Sequence, residues 1–167
     1  VVTYADISSI LVSRCVKCHA VDGLMGPAPE GYLLTSDQAT LSPRERVRVV
    51  PGFPASSELV RRITGQSRPR MPYDGPPYLD EQEIVRIVAW VERGALTADG
   101  QAPAYPAGAR IRLQGNLIDI WRLDAGVPLQ VSPATRIDKS PGRGDYVEVR
   151  GRLAEGGAIT VERIRRR

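Results

Sequence analysis

The residues of this chain with chemical potential lie close together near its start. Cys15-Val16-Lys17-Cys18-His19 reads C-x-x-C-H, the spacing of covalent c-type haem attachment. Two thiols three residues apart on a helical turn can reach the two vinyl groups of one porphyrin and form thioethers. The next residue, His19, then projects its imidazole at the iron. The competing reading of C-x-x-C is a thioredoxin-like redox pair. That needs a βαβ context, and the stretch around Cys15 reads as helix. With 2 Cys and 1 His in 167 residues, a four-ligand zinc site built from Cys and His is excluded. So is a scaffold of several disulfides.

An iron held by His19 calls for a second axial ligand. No second histidine exists, so the soft candidates are Met25 and Met71. Met25 follows His19 by only six residues, too close to reach the opposite face of a porphyrin easily. Met71 lies far along the chain in Arg70-Met71-Pro72-Tyr73, in a loop stiffened by Pro69, Pro72, Pro76 and Pro77. Met71 is therefore the expected ligand, and Met25 a lining or surface residue. Arg68, Arg70 and Tyr73 are candidates to neutralise haem propionates.

Helices are expected to position these groups. Thr3-Tyr4-Ala5-Asp6 resembles a capping box, and Ile7, Ile10 and Leu11 recur at helical spacing up to the cysteines. A second helix is expected from Ser57 to Ile63. The clearest runs from Glu81 to Arg93, with Asp80 and Glu83 as its capping box, Ile84, Ile87, Val88 and Val91 as its stripe, and Gly94 as its stop. Ala95 to Gly108 has no periodicity and reads as a linker, expected to be open to protease between Gln101 and Gly108. From Ala109 the period becomes two: Ile111 and Leu113, then Val127, Leu129 and Val131, then Tyr146–Val149 and Ile159–Val161, separated by Gly-containing turns. Five or six short strands in so little chain predict a closed barrel, because closure removes unprotected edges.

Charge divides along the same line. Residues 1–108 carry 11 Lys+Arg against 12 Asp+Glu, and residues 109–167 carry 12 against 7, making +4 in all. Apolar residues are 42% and charged residues 25%, a globular composition. No run of about 18 apolar residues is present to span a bilayer. The chain begins at Val1, which reads as a processed form with its signal peptide removed or as a fragment.

Residues 1–96 resemble a class I, planctomycete-type cytochrome c domain. The matching pieces are the first helix leading into Cys15-Val16-Lys17-Cys18-His19, then Gly26-Pro27, Val49-Val50-Pro51-Gly52, Ser57–Ile63, Met71-Pro72 and the helix from Asp80 to Gly94. The resemblance implies an all-α cytochrome c fold in which the first and last helices cross, packing Ile7, Ile10 and Leu11 against Ile87, Trp90 and Val91. It also implies that the Pro27 carbonyl accepts the other ring N–H of His19. Residues 109–167 resemble a small all-β, OB-like family that confers no chemistry, through Thr135, Gly144–Gly151 and Gly157–Val161. The expected organisation is thus a monohaem cytochrome c domain over 1–96, a linker over 97–108, and a small β-barrel with a basic tail over 109–167.

The expected function is electron transfer through one covalent haem c ligated by His19 and Met71. With both axial positions filled there is no open site for a substrate, so the chain is not expected to be an enzyme. Redox proteins are the expected partners, in the periplasm or outside the cell. The alternative is a subunit of an extracellular electron-conducting assembly or filament, in which the β domain mediates docking and self-association. A nucleic-acid-binding barrel is disfavoured, because Trp121 and Tyr146 are its only aromatic platforms. The β half contains no His, Cys or Met and is expected to recruit a partner rather than act on the haem.

Overall fold

The computed structural model describes residues 1–24 and 26–167; Met25 lies outside the described residues. The first half holds four helices joined by loops. α1 (Tyr4–Arg14) starts where the Thr3 backbone N–H donates to Asp6 Oδ2 at 2.8 Å. α2 (Asp37–Leu41) is a single turn capped by Ser36 Oγ, which accepts from the Ala39 N–H at 3.1 Å. α3 spans Glu58–Ile63. α4 (Glu81–Glu92) has the full reciprocal cap: Glu83 N–H donates to Asp80 Oδ1 at 2.8 Å and Asp80 N–H to Glu83 Oε1 at 3.0 Å. It ends at Gly94, whose φ of 107° is left-handed backbone that other residues resist.

α1 and α4 share one buried cluster containing Ile7, Ile10, Leu11, Ile87, Trp90 and Val91. The Tyr4 ring meets Trp90 edge-on at 5.9 Å, and Trp90 Nε1–H donates to the Leu96 carbonyl at 2.8 Å. Burying each such aliphatic side chain contributes roughly 1.5–3 kcal/mol, so this contact holds both ends of the helical half. No helix among the described residues is long and apolar enough to cross a membrane.

The second half is a closed five-stranded barrel. Its strands are β1 (Arg110–Asp119), β2 (Arg122–Leu123), β3 (Val127–Gln130), β5 (Tyr146–Leu153) and β6 (Ile159–Arg166), in the order β1-β2-β3-β6-β5 around the wall. β1, β2 and β3 form an antiparallel meander, and closure comes from a parallel pairing of β3 with β6 at Leu129–Ile159. β4 (Arg136–Asp138) lies parallel to the far end of β6. Ile111, Leu113, Leu117, Val147, Val149, Ile159 and Ile164 fill the interior. The β5–β6 register shifts at Gly151, where a Cβ would collide with the Thr160 carbonyl.

The halves meet in a sealed seam. Val47 and Val50 belong to the barrel's buried cluster, with Phe53 and Ala55 packed against it. Val47 N–H donates to the Arg110 carbonyl at 2.8 Å, and Ser56 Oγ–H to the Gly157 carbonyl at 2.6 Å. At the centre lies Arg61 of α3, fully buried. Its guanidinium donates to the Gln114 carbonyl at 3.2 and 3.1 Å, to Ala55 O at 3.2 Å and to Asp124 O at 3.0 Å, and pairs with the Asp124 carboxylate. Gly115 of β1 faces this group, and a Cβ there would overlap both Arg61 and Asp124. Ser67 Oγ–H donates to Gln114 O at 2.8 Å, and the Arg68 N–H to Tyr146 Oη at 2.8 Å.

The expected open linker over 97–108 is instead tied down. Ala98 N–H donates to Asp37 Oδ2 at 2.8 Å and Gly108 N–H to the Leu153 carbonyl at 2.8 Å. Tyr105 stacks edge-on with Phe53 at 5.8 Å, accepts from the Gly157 N–H at 3.0 Å and donates to the Ala154 carbonyl. One aromatic anchor in an otherwise small-residue stretch converts a tether into a strap.

Candidate functional site

The C-x-x-C-H segment continues directly from α1. Cys15 N–H donates to the Leu11 carbonyl at 2.9 Å, and His19 N–H to the Cys15 carbonyl at 2.9 Å. The chain then folds back on the motif: Leu24 N–H donates to Lys17 O at 2.7 Å, and Gly23 sits where a Cβ would press on the Cys18 and Lys17 carbonyls. Leu34 N–H closes the loop on His19 O at 2.9 Å.

His19 Nδ1 lies 2.8 Å from the Tyr32 carbonyl. A carbonyl only accepts, so Nδ1 carries the proton and Nε2 keeps its lone pair, the tautomer a metal-binding imidazole needs. The acceptor is therefore Tyr32 and not Pro27, which is exposed. Gly26 and Pro27 come too soon after His19 and are spent on the fold-back, where Gly23 and Gly26 pair with each other. Burial lowers the His19 pKa, with the Tyr32 hydrogen bond opposing, which favours the neutral ring. Burial pushes the Cys15 thiol up to about 11.

Cys15, Cys18, His19 and Met71 all line one cavity of about 430 Å³, within the range of ligand and cofactor sites. Met71 is presented from the loop after α3, its N–H donating to the Arg62 carbonyl at 2.9 Å. Leu34, Leu59, Ile63, Pro69, Pro72 and Tyr73 supply an apolar wall. Six basic side chains and three carboxylates complete the lining, so the rim carries excess positive charge. Met25, the other candidate ligand, lies outside the described residues.

Of the expected propionate partners, Tyr73 borders the cavity but Arg68 and Arg70 do not. Both guanidiniums are taken up elsewhere on aromatic faces, Arg68 over Tyr146 at 4.2 Å and Arg70 over Tyr78 at 4.5 Å. The cationic wall is made by residues the sequence reading passed over: Arg46, Arg48 and, from strand β1 of the barrel, Arg112. Glu30 ties two of them together, accepting from Arg46 at 2.5 Å and from Arg112 at 2.8 and 3.1 Å. Burial alone would raise its pKa, but the hydrogen bonds from Arg46 and Arg112 outweigh that and hold its carboxyl at about 2. Arg48 lies over the Tyr32 ring at 4.5 Å, on the residue whose carbonyl holds His19.

Neither a family model, nor a curated protein, nor a solved structure matches this chain.

Proposed function

We propose that the chain is a monohaem c-type cytochrome that transfers electrons. The observation carrying this reading is the convergence of Cys15, Cys18, His19 and Met71 on one cavity, with the His19 tautomer set by Tyr32. Among the described residues, no group of three or more His, Cys, Asp or Glu could hold a metal ion by itself. An imidazole and a thioether are side chains of the kind that would hold a haem iron, and His19 and Met71 would supply them here. Bound haem supplies one-electron redox chemistry at its iron. The protein's own residues would attach it through the two thiols, orient it through His19 and Met71, and exclude water with the aliphatic wall around Leu34, Leu59 and Ile63. With His19 and Met71 both committed to holding the group, no protein-held position would remain for a substrate, which favours a carrier over an enzyme. Covalent attachment of this type is completed outside the cytoplasmic membrane, so a periplasmic or extracellular setting belongs to the same proposal.

We read the barrel as OB-like, from its five-strand closure and parallel β3–β6 seam. Trp121 packs on the barrel core and Tyr146 is covered by Arg68, so neither offers an open stacking face for a nucleic-acid base. The engagement of Arg112 with the cavity favours a carrier in which the barrel is part of the haem environment, over an assembly subunit whose barrel serves only for docking.

Mass spectrometry of the denatured protein tests the proposal. The chain is expected to carry the added mass of one haem; haem that leaves in acidified solvent overturns it. In the oxidised protein a weak long-wavelength sulfur-to-iron band is expected, lost in Met71→Ala and kept in Met25→Ala. The reverse pattern reassigns the axial ligand.

A further inference from the structure

Two buried side-chain nitrogens have no hydrogen-bond partner among the described residues: Arg48 Nη2 and Arg112 Nε. Both side chains line the cavity. An unpartnered guanidinium nitrogen away from water is destabilising, and is found where something else satisfies it. Arg48 is 5% exposed, so bulk water is not its partner. Arg48 comes from the helical half and Arg112 from the barrel, and Glu30 accepts from Arg112 across the seam. Glu30 accepts from Arg46 Nη2 and Arg112 Nη2, and Arg112 Nε and Arg48 Nη2 are left without an acceptor among the described residues.

We infer that Arg48 and Arg112 form an anion subsite that receives a carboxylate of the bound porphyrin, so that the barrel closes the haem cavity and the cofactor clamps the two halves together. This rests on the haem reading above. A porphyrin carboxylate is an acceptor of the kind that the unpartnered Arg48 and Arg112 nitrogens lack. The barrel, with no iron ligand, then acts on the haem through charge. Arg112 places a cation near the iron centre and disfavours its oxidised, more positive state. Glu30 works against it, competing with the cofactor carboxylate for the same guanidinium.

The test is the reduction potential of the full haem-loaded chain, measured alongside the mass of the denatured protein. Arg112→Gln should favour the oxidised form roughly tenfold, a fall of about 59 mV for one electron. Arg112→Lys should recover most of that loss, and Glu30→Gln should move the potential upward. Arg122→Gln, an exposed barrel residue away from the cavity, should change it little. Opposite signs for positions 112 and 30 are not expected of a generally loosened fold, and Glu30→Gln keeps the test open if Arg112→Gln does not fold. Unchanged potentials in both variants, or an equal shift in Arg122→Gln, overturn the subsite while leaving the haem reading intact. A wild-type potential that moves on exchanging chloride for phosphate buffer assigns the subsite to a free anion and overturns the inference too. A denatured chain without haem mass overturns the reading beneath it.

Discussion

The helical half and the barrel half are stabilised in different ways. The barrel is filled: its cluster from Ile111 to Ile164 is enclosed by a wall in which each strand has neighbours on both sides. The helical half is built around a space. Cys15, Leu34, Leu59 and Ile63 belong to its buried cluster and also border the cavity. Its helices are short, α2 and α3 having five and six residues, lengths that do not persist without packing. A region whose core lines a cavity depends on what fills it more than a barrel whose core is already filled.

If the chain carries haem as proposed, the largest effect should come from preventing attachment. In Cys15→Ala/Cys18→Ala, grown so that no haem is retained, amide protection in α1, α3 and α4 should fall by about 100-fold or more. A hundredfold change in protection corresponds to about 2.7 kcal/mol, at about 1.4 kcal/mol per tenfold. Protection in β1, β5 and β6 should change much less, and equal losses in both halves would break the comparison.

Arg61→Ala should come next, costing about 2 kcal/mol, because it leaves the Gln114 carbonyl and the partly exposed Asp124 carboxylate without their guanidinium partner. Denaturant unfolding followed by haem absorbance for the helical half and by amide exchange in β1, β5 and β6 for the barrel should show both halves weakened together. A shift confined to one half would mean that the seam does not couple them.

The smallest effect concerns Glu30. Its carboxyl sits at about 2 against an ordinary 4.5. A depressed pKa stabilises the fold fully above about pH 4.5 and progressively less as the pH falls toward 2. Half of the side chain is exposed, so water screens the pairs and the effect should be about 1 kcal/mol or less. Unfolding midpoints of wild type and Glu30→Gln, compared at pH 6 and pH 3, should converge at the lower pH.

Legibility followed how local each signal was. The α4 cap and stripe are contained within a dozen neighbouring residues, and the structure has them where the pattern put them. The longer strands followed from their period of two, whereas β2 and β4, at two and three residues, are too short to show any period. The C-x-x-C-H residues and Met71 were identifiable by type and do line one cavity. Tyr32 was missed as the partner of His19 because a backbone carbonyl leaves no mark on residue type. Arg112 was missed because an outward arginine on an alternating strand looks like Arg110 or Arg122 until the chain folds. Arg61 sits beside the apolar positions of α3 and reads as its solvent face; only the seam reveals it as the most deeply placed charge in the molecule.

The missing side chain at Gly115 has a consequence for descent. It exists in relation to Arg61, a residue far away in sequence on the other half, and both exist in relation to Asp124. A recombination event joining this helical half to an unrelated barrel would bring a buried guanidinium against a surface with no gap and no carboxylate to receive it. The two halves are therefore fitted to each other, and any relative of this chain should show positions 61, 115 and 124 changing in concert or not at all.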